Sequence, residues 1–241
     1  MILLSFCVGL AAVLFQPASQ VSANIASSLQ TTNADVQKEI VNKHNGLRRM
    51  VNPPAANMLK MLWNDVMAKN AQRWADKCVL DHSPQADRKG EVNWGENLYM
   101  SSAPNSWSTA IQAWYDEATN FVYGHGANSA NAVIGHYTQV VWYRSNELGC
   151  GCAYCPNAKY KYYYVCQYSP AGNIQSKIHT PYKKGKPCED CPNACDEGLC
   201  TNPCRYYDRF SNCPTLAYDW TCTPDVISYC PAACHCVTEI Q

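Results

Sequence analysis

Ten cysteines fall within the last 54 residues, from Cys188 to Cys236, and nothing else narrows the possible folds as far. A segment that short buries too little apolar surface to fold on a core of its own. In a reducing cytosol its thiols would stay free, so the density reads as a disulfide framework assembled in the secretory pathway. Cross-links then stand in for hydrophobic mass, and the tail is a small stapled module attached to something larger.

The N-terminus agrees with that compartment. Residues 1–15 are almost wholly apolar, and Val21, Ser22 and Ala23 offer a small-residue cleavage site. This predicts a signal peptide over 1–23, a mature chain from Asn24 and a secreted, extracellular product. The apolar run is too short for a membrane span, and no other segment approaches that length. There is no Asn-x-Ser/Thr sequon. Removal of the leader takes Cys7 with it and leaves 15 cysteines, an odd number, so one thiol is free or paired outside the chain.

The zero net charge hides an asymmetry. Residues 24–187 carry 17 Lys/Arg against 11 Asp/Glu, whereas residues 188–241 carry two against eight, so the halves stand at +6 and −6. Opposite signs on consecutive segments predict a composite molecule whose halves meet different partners. Neither half shows a basic stripe or nucleic-acid motif in its sequence, which argues against a nucleic-acid partner.

Ile40, His44, Leu47 and Val51 recur at helical spacing, with Asn33 or Asp35 as start signals and Pro53-Pro54 as the stop. A second helix is expected from Asn64, burying Met67, Ala71, Trp74, Ala75 and Cys78. A third starts near Ser106 or Ser108 and buries Ile111, Trp114, Ala118 and Phe121. Leu148–Cys155 and Tyr160–Tyr168, rich in Tyr and Val and parted by Pro156-Asn157, read as an antiparallel hairpin. Helices followed by a hairpin predict an α+β layered domain of about 150 residues. Residues 169–187, with three prolines, two glycines and Lys183-Lys184-Gly185-Lys186, have the composition of a linker.

Four residues between 80 and 142 carry candidate chemistry: His82 in LDHS, Glu96 in WGENLYMSS, Glu117 in WYDEATNF and His136 in GHYTQVVW. Two imidazoles and two carboxylates suit a divalent metal or acid–base pair, since imidazole binds zinc and a carboxylate orients it. Histidines 54 residues apart leave a second reading open, in which each one only secures a loop or the core.

The strings EIVNKHNGLRR, GENLYMSS, GHYTQVVW and YYYVCQY resemble the CAP domain, and CEDCPNACDEGLCTNPC with six further cysteines is similar to the hinge and toxin-like module of cysteine-rich secretory proteins. NMLKM and the TEI ending look closest to mammalian reproductive-tract members. The resemblance implies a CAP-type α-β-α sandwich over 24–180, a linker and hinge over 181–203, and a helical, sea-anemone-toxin-like, ion channel regulatory module over 204–241. It places His82, Glu96, Glu117 and His136 in the family's cleft, with His82 and His136 holding zinc weakly and no cofactor required. It pairs Cys78–Cys155, Cys150–Cys166, Cys188–Cys195, Cys191–Cys200, Cys204–Cys236, Cys213–Cys230 and Cys222–Cys234, leaving Cys152 as the candidate free thiol. A zinc reading of Cys188-x-x-Cys191 is set aside because of the leader.

Two positions depart from the family pattern, with Trp94 and Ser169 standing where a bonded cysteine pair is usual. Loss of a bridge typically costs about 2–5 kcal/mol. Cys152 lies two residues from Cys150, on the same strand face, which predicts a thiol turned inward.

The implied function is that of a secreted, largely monomeric protein that binds sperm, egg or other cell surfaces and regulates ion channels, calcium-conducting ones foremost. No activated nucleophile or three-ligand metal water is apparent, so no enzymatic activity is expected. A pore-blocking module commonly presents a lysine. Here no lysine follows Lys186, which shifts the expectation to Tyr206, Tyr207, Phe210, Tyr218 and Trp220 or to the basic linker. A sterol carrier using the aromatic 120–135 loop and a venom-type channel blocker are the alternatives.

Overall fold

A computed structural model describes residues 28–241; the leader lies outside them. The central element is a four-stranded sheet in the order β1–β5–β6–β2, made of Leu62–Trp63, Glu147–Tyr154, Tyr162–Ser169 and Gly95–Ser101. β1 runs parallel to β5, and the other pairs are antiparallel. Side chains alternate between two faces along β6. Tyr164, Cys166 and Tyr168 enter the larger core, whereas Tyr163 and Val165 enter a second one behind the sheet.

Helices cover both faces. On the first lie α1 (Ala34–Arg49), α3 (Trp107–Tyr115) and α4 (Gly135–Val140), contributing Ile40, Leu47, Trp107, Ile111, Trp114 and Val140 to the core. On the second lies α2 (Asp65–Ala75), which packs Ala71, Trp74 and Ala75 on β5 and β6. The result is the α-β-α sandwich expected of the chain. Gly149 and Gly151 of β5 sit under α2. A Cβ on Gly149 would lie 2.2 Å from the Ala68 nitrogen, so only glycine permits this approach.

Each main helix opens on a local cap. The side chains of Asn33, Asn64 and Ser106 accept hydrogen bonds from Asp35, from Val66 and Met67, and from Thr109. The third helix is shorter than its apolar spacing predicts. It tightens to a 3₁₀ turn over Asp116–Asn120, and Phe121 opens a two-residue strand, β3 (Phe121–Val122), paired with β4 (Gly126–Ala127). Within that turn Glu117 bonds to His136 and Tyr137 of α4.

His44 is buried on the inner face of α1, its ring nitrogens bonded to the Ile40 carbonyl (2.8 Å) and the Tyr168 hydroxyl (3.0 Å). Desolvation lowers its pKa from 6.5 to about 4, outweighing the Ile40 bond, and Arg48 adds to the depression. The folded state therefore binds fewer protons than the unfolded state between pH 6.5 and 4. Stability is full above 6.5 and falls as pH drops, by about 2 kcal/mol between pH 7 and 5 from this residue. Urea midpoints across that range should decline in wild type, and His44→Gln should flatten the decline; an equal slope in both would disprove it.

Behind the sandwich, residues 181–187 do not form the free linker their composition predicts. Tyr182 is buried, the Lys183 carbonyl accepts from Ala56, and the Gly185 amide donates to Pro54. Distant backbone partners override the local preference. The hinge follows as a small hairpin, β7 (Cys195–Asp196) with β8 (Leu199–Cys200), stitched to the large domain by hydrogen bonds of Cys200 with Met58 and Lys60. The opposite charges of the two halves partly meet here, in Arg49–Glu197, Lys60–Asp196 and Lys183–Asp190. They serve an internal contact.

The tail ends in three short helices, α5 (Cys213–Asp219), α6 (Pro224–Tyr229) and α7 (Pro231–His235), each with proline in its first turn. Its interior is mostly cystine, with Val226 and Ala232 among the few aliphatics. Among the described residues seven disulfides are present: 78–155, 150–166, 188–195, 191–200, 204–236, 213–230 and 222–234.

Candidate functional site

β2 is the backbone of the site. Its second residue, Glu96, is completely buried at the side chain, and its carboxylate is fully engaged. Oε1 accepts from His82 Nδ1 (2.8 Å) and the Ser83 amide (3.0 Å), while Oε2 accepts from the Ser83 hydroxyl (2.7 Å) and Gln167 Nε2 (3.0 Å). Burial alone would raise the carboxyl pKa. The bonds from His82, Gln167 and Ser83 outweigh it and hold the group below its usual range, so it is ionised.

Glu117 and His136 form a second pair. Glu117 Oε1 accepts from His136 Nδ1 (2.6 Å), while Oε2 accepts from the amides of His136 and Tyr137. α4 has no side-chain cap from its own N-cap residue, Ile134, so Glu117 caps it from another element and orients the imidazole in the same act. Asn97, next to Glu96, donates to the His136 carbonyl and ties β2 to α4.

Each carboxylate engages the Nδ1 side of its histidine, so Nε2 is the ring nitrogen left without a glutamate partner. His82 is half exposed at the side chain and His136 one-third. An imidazole steadied by a carboxylate is of a kind that takes a zinc ion, with solvent completing the shell. The glutamates do not fit as further ligands, since their oxygens are already committed. Among the described residues, no three of these four side chains bring ligand atoms within 4.8 Å of one another. The sulfurs that do so, Cys188, Cys191 and Cys200, are closed in disulfides and offer no thiolate.

No hydroxyl or thiol among the described residues bonds to His82 or His136. The Ser83 hydroxyl is spent on Glu96. In the 120–135 loop, Phe121 packs on Tyr137 and Tyr123 on Tyr182.

Among the described residues Cys152 is the free cysteine, half-buried beside the cluster that holds Cys150. Burial pushes its thiol up to about 12, which leaves almost no thiolate at neutral pH. Trp94 and Ser169 are both buried, at the end of the ladder that pairs Gly95 with Tyr168. Ser83, Asn97 and Gln167, which complete the site, escaped the sequence reading. The strings GENLY and VCQY held two of them, but nothing local told their roles.

A profile described as "Cysteine-rich secretory protein family" matches residues 41–168, and one described as "Crisp" matches 188–241. The chain is 56% identical over 216 residues to cysteine-rich secretory protein 2 of Homo sapiens, covering 89% of each. It is 53% identical over 243 residues to the cysteine-rich venom protein helothermine of Heloderma horridum horridum, covering 100% of each. Among solved structures, NaASP2 with Zn2+ is similar at 32% identity and a TM-score of 0.59, over 70% of this chain and 96% of that one.

Proposed function

The chain belongs to the cysteine-rich secretory protein family, matched in both its large domain and its tail, and from that premise we propose a secreted, non-enzymatic regulator of ion channels. Its target class is the calcium-conducting channels of sperm and other cell surfaces. The site supports the non-enzymatic reading, because it holds two oriented imidazoles and no activated nucleophile.

The observation that carries the channel reading is the surface of the tail. Tyr218 is 88% exposed, Trp220 69% and Phe210 53%, on a module without a lysine. Large aromatics left in water are the residues that dominate binding when a partner covers them. Block by a lysine inserted in the pore is closed to this tail, so contact with an outer channel surface remains.

The whole chain is the reagent to test. The tail is not free: Arg144 donates to the Tyr206 carbonyl and lies over the Tyr207 ring, and the Tyr143 hydroxyl reaches the Gln241 carbonyl. Patch-clamp recording of calcium currents should show voltage-independent inhibition by the secreted protein. Tyr218→Ala/Trp220→Ala should raise the half-maximal dose at least about tenfold. Undiminished potency in that variant, or voltage-dependent block, would reject this mode of action.

A further inference from the structure

Lys69 and Arg73 on helix α2, and Lys77 in the turn just past its end, are all exposed, each four residues from the next. At 1.5 Å rise per residue Lys69 and Arg73 stand about 6 Å apart along the helix, and Lys77 extends the strip past its last turn. The sequence has no basic run here; the helical repeat makes the strip. Among the described residues no carboxylate lies within ion-pair distance of any of the three. The nearby acids of the helix are occupied, Asp65 by the Trp63 indole and Asp76 by Gln72. Lys77 is steadied only by the Trp74 ring, 4.8 Å from its centroid.

The strip runs between two hollows. One, of about 380 Å³, is lined by Arg73 and Lys77 with Asn70, Ser83 and Asp87. The other, of about 1050 Å³, is lined by Lys69 and Arg73 with Gln37, Gln72 and Thr31 among others. The Cys78–Cys155 bridge, directly after Lys77, brings the β5–β6 turn with Lys159 and Lys161 to the same end of the helix.

We propose that this strip is a binding site for a linear sulfated glycosaminoglycan of the cell surface. Three unpaired cations in a row match a chain of fixed anions, and the flanking hollows leave room for its sugar rings. A flat bilayer would touch the ridge and leave both hollows unused. A single-stranded nucleic acid would need an open aromatic face beside the cations for its bases, whereas Trp74, the aromatic within the strip, is 9% exposed. The site is independent of the tail aromatics and does not rest on channel regulation.

The test is elution of the secreted full-length protein from immobilised heparin in a salt gradient. Wild type should be retained beyond about 0.15 M salt. Lys69→Ala/Arg73→Ala/Lys77→Ala should bind about tenfold more weakly, while Lys184→Ala/Lys186→Ala, which removes charge elsewhere, should elute like wild type. Should the triple variant melt abnormally, Arg73→Glu replaces it, a single exposed change expected to weaken binding in the same direction. Flow-through of the wild type, unaltered binding by the strip variants, an equal loss in the Lys184/Lys186 variant, or equal retention on desulfated heparin each overturns the proposal. Binding to phosphatidylserine vesicles in place of heparin overturns it in favour of a membrane surface.

Discussion

Arg48→Met is expected to abolish secretion of folded protein. The guanidinium is 1% exposed and has no carboxylate partner; five backbone carbonyls surround it. Nε and Nη2 donate to Leu59, Nη1 to Val140 and Trp142, and Nη2 also to Tyr143 and Ser145, at 2.7–3.1 Å. Desolvation lowers its pKa to about 9, against a raising contribution from Tyr168, so it stays charged at neutral pH. The planar fork joins α1 to the segment before β1 and to the turn after α4. That turn receives the Leu59 amide on Tyr143, and Lys60 next to it bonds to Cys200 of the hinge. Methionine fills the space but orphans carbonyls at about 1–3 kcal/mol each. A loss of about 5 kcal/mol or more would consume much of an ordinary domain's stability. Arg48→Lys should fail too, since three donors on a flexible stem cannot replace the fork. The checks are secreted yield and, for any product, the urea midpoint. Wild-type yield with a midpoint shift below about 0.5 M would show that the cage is dispensable.

Gly149→Ala should destabilise by about 3 kcal/mol or more, and Gly46→Ala should act in the opposite direction. At Gly149 the added carbon would meet Asn64 O at 2.6 Å and Met67 C at 2.7 Å, besides the Ala68 nitrogen. All are backbone atoms, so no rotamer change relieves the overlap and α2 must lift from β5. Gly151→Ala meets the same obstacle at Gln72, with Cα and N at 2.5 Å. Gly46, inside α1, has nothing within 4 Å of its added carbon, and alanine there gains about 0.5–1 kcal/mol of helix preference. Urea unfolding of the two single variants measures both signs. A neutral Gly149→Ala would mean that the helix sits farther from the sheet than described.

What the sequence reveals depends on how far apart the cooperating residues lie. Asn33, Asn64 and Ser106 cap helices through bonds to residues two or three positions on, and their signals are readable by eye. The β5–β6 hairpin is readable for the same reason. α4 is not, because the cap that starts it comes from Glu117, 18 residues before Gly135. β2 hides inside a motif whose polar residues draw attention from its alternation, and its partner strand is 60 residues later. His82 and His136 stand out as candidates by type, yet what orients them is Glu96 with Gln167 and Ser83, and Glu117 with two amides. The pairing of the cysteines followed from resemblance to a family, since ten closely spaced thiols admit many pairings. The Arg48 cage was invisible, because main-chain carbonyls carry no residue signature.

Lys183, Lys184 and Lys186 in a loose tether would offer trypsin-like proteases a cut point between the two halves. Here the chain that bears them is laid down along its length, with Tyr143 bonded to Pro181, Asn57 to Lys183, Tyr123 to Lys184 and Glu189 to Lys186. A protease must draw an extended, unbonded stretch into its cleft, and this stretch has none to give. In the folded protein this stretch is therefore expected to resist cleavage, and the two halves to stay joined.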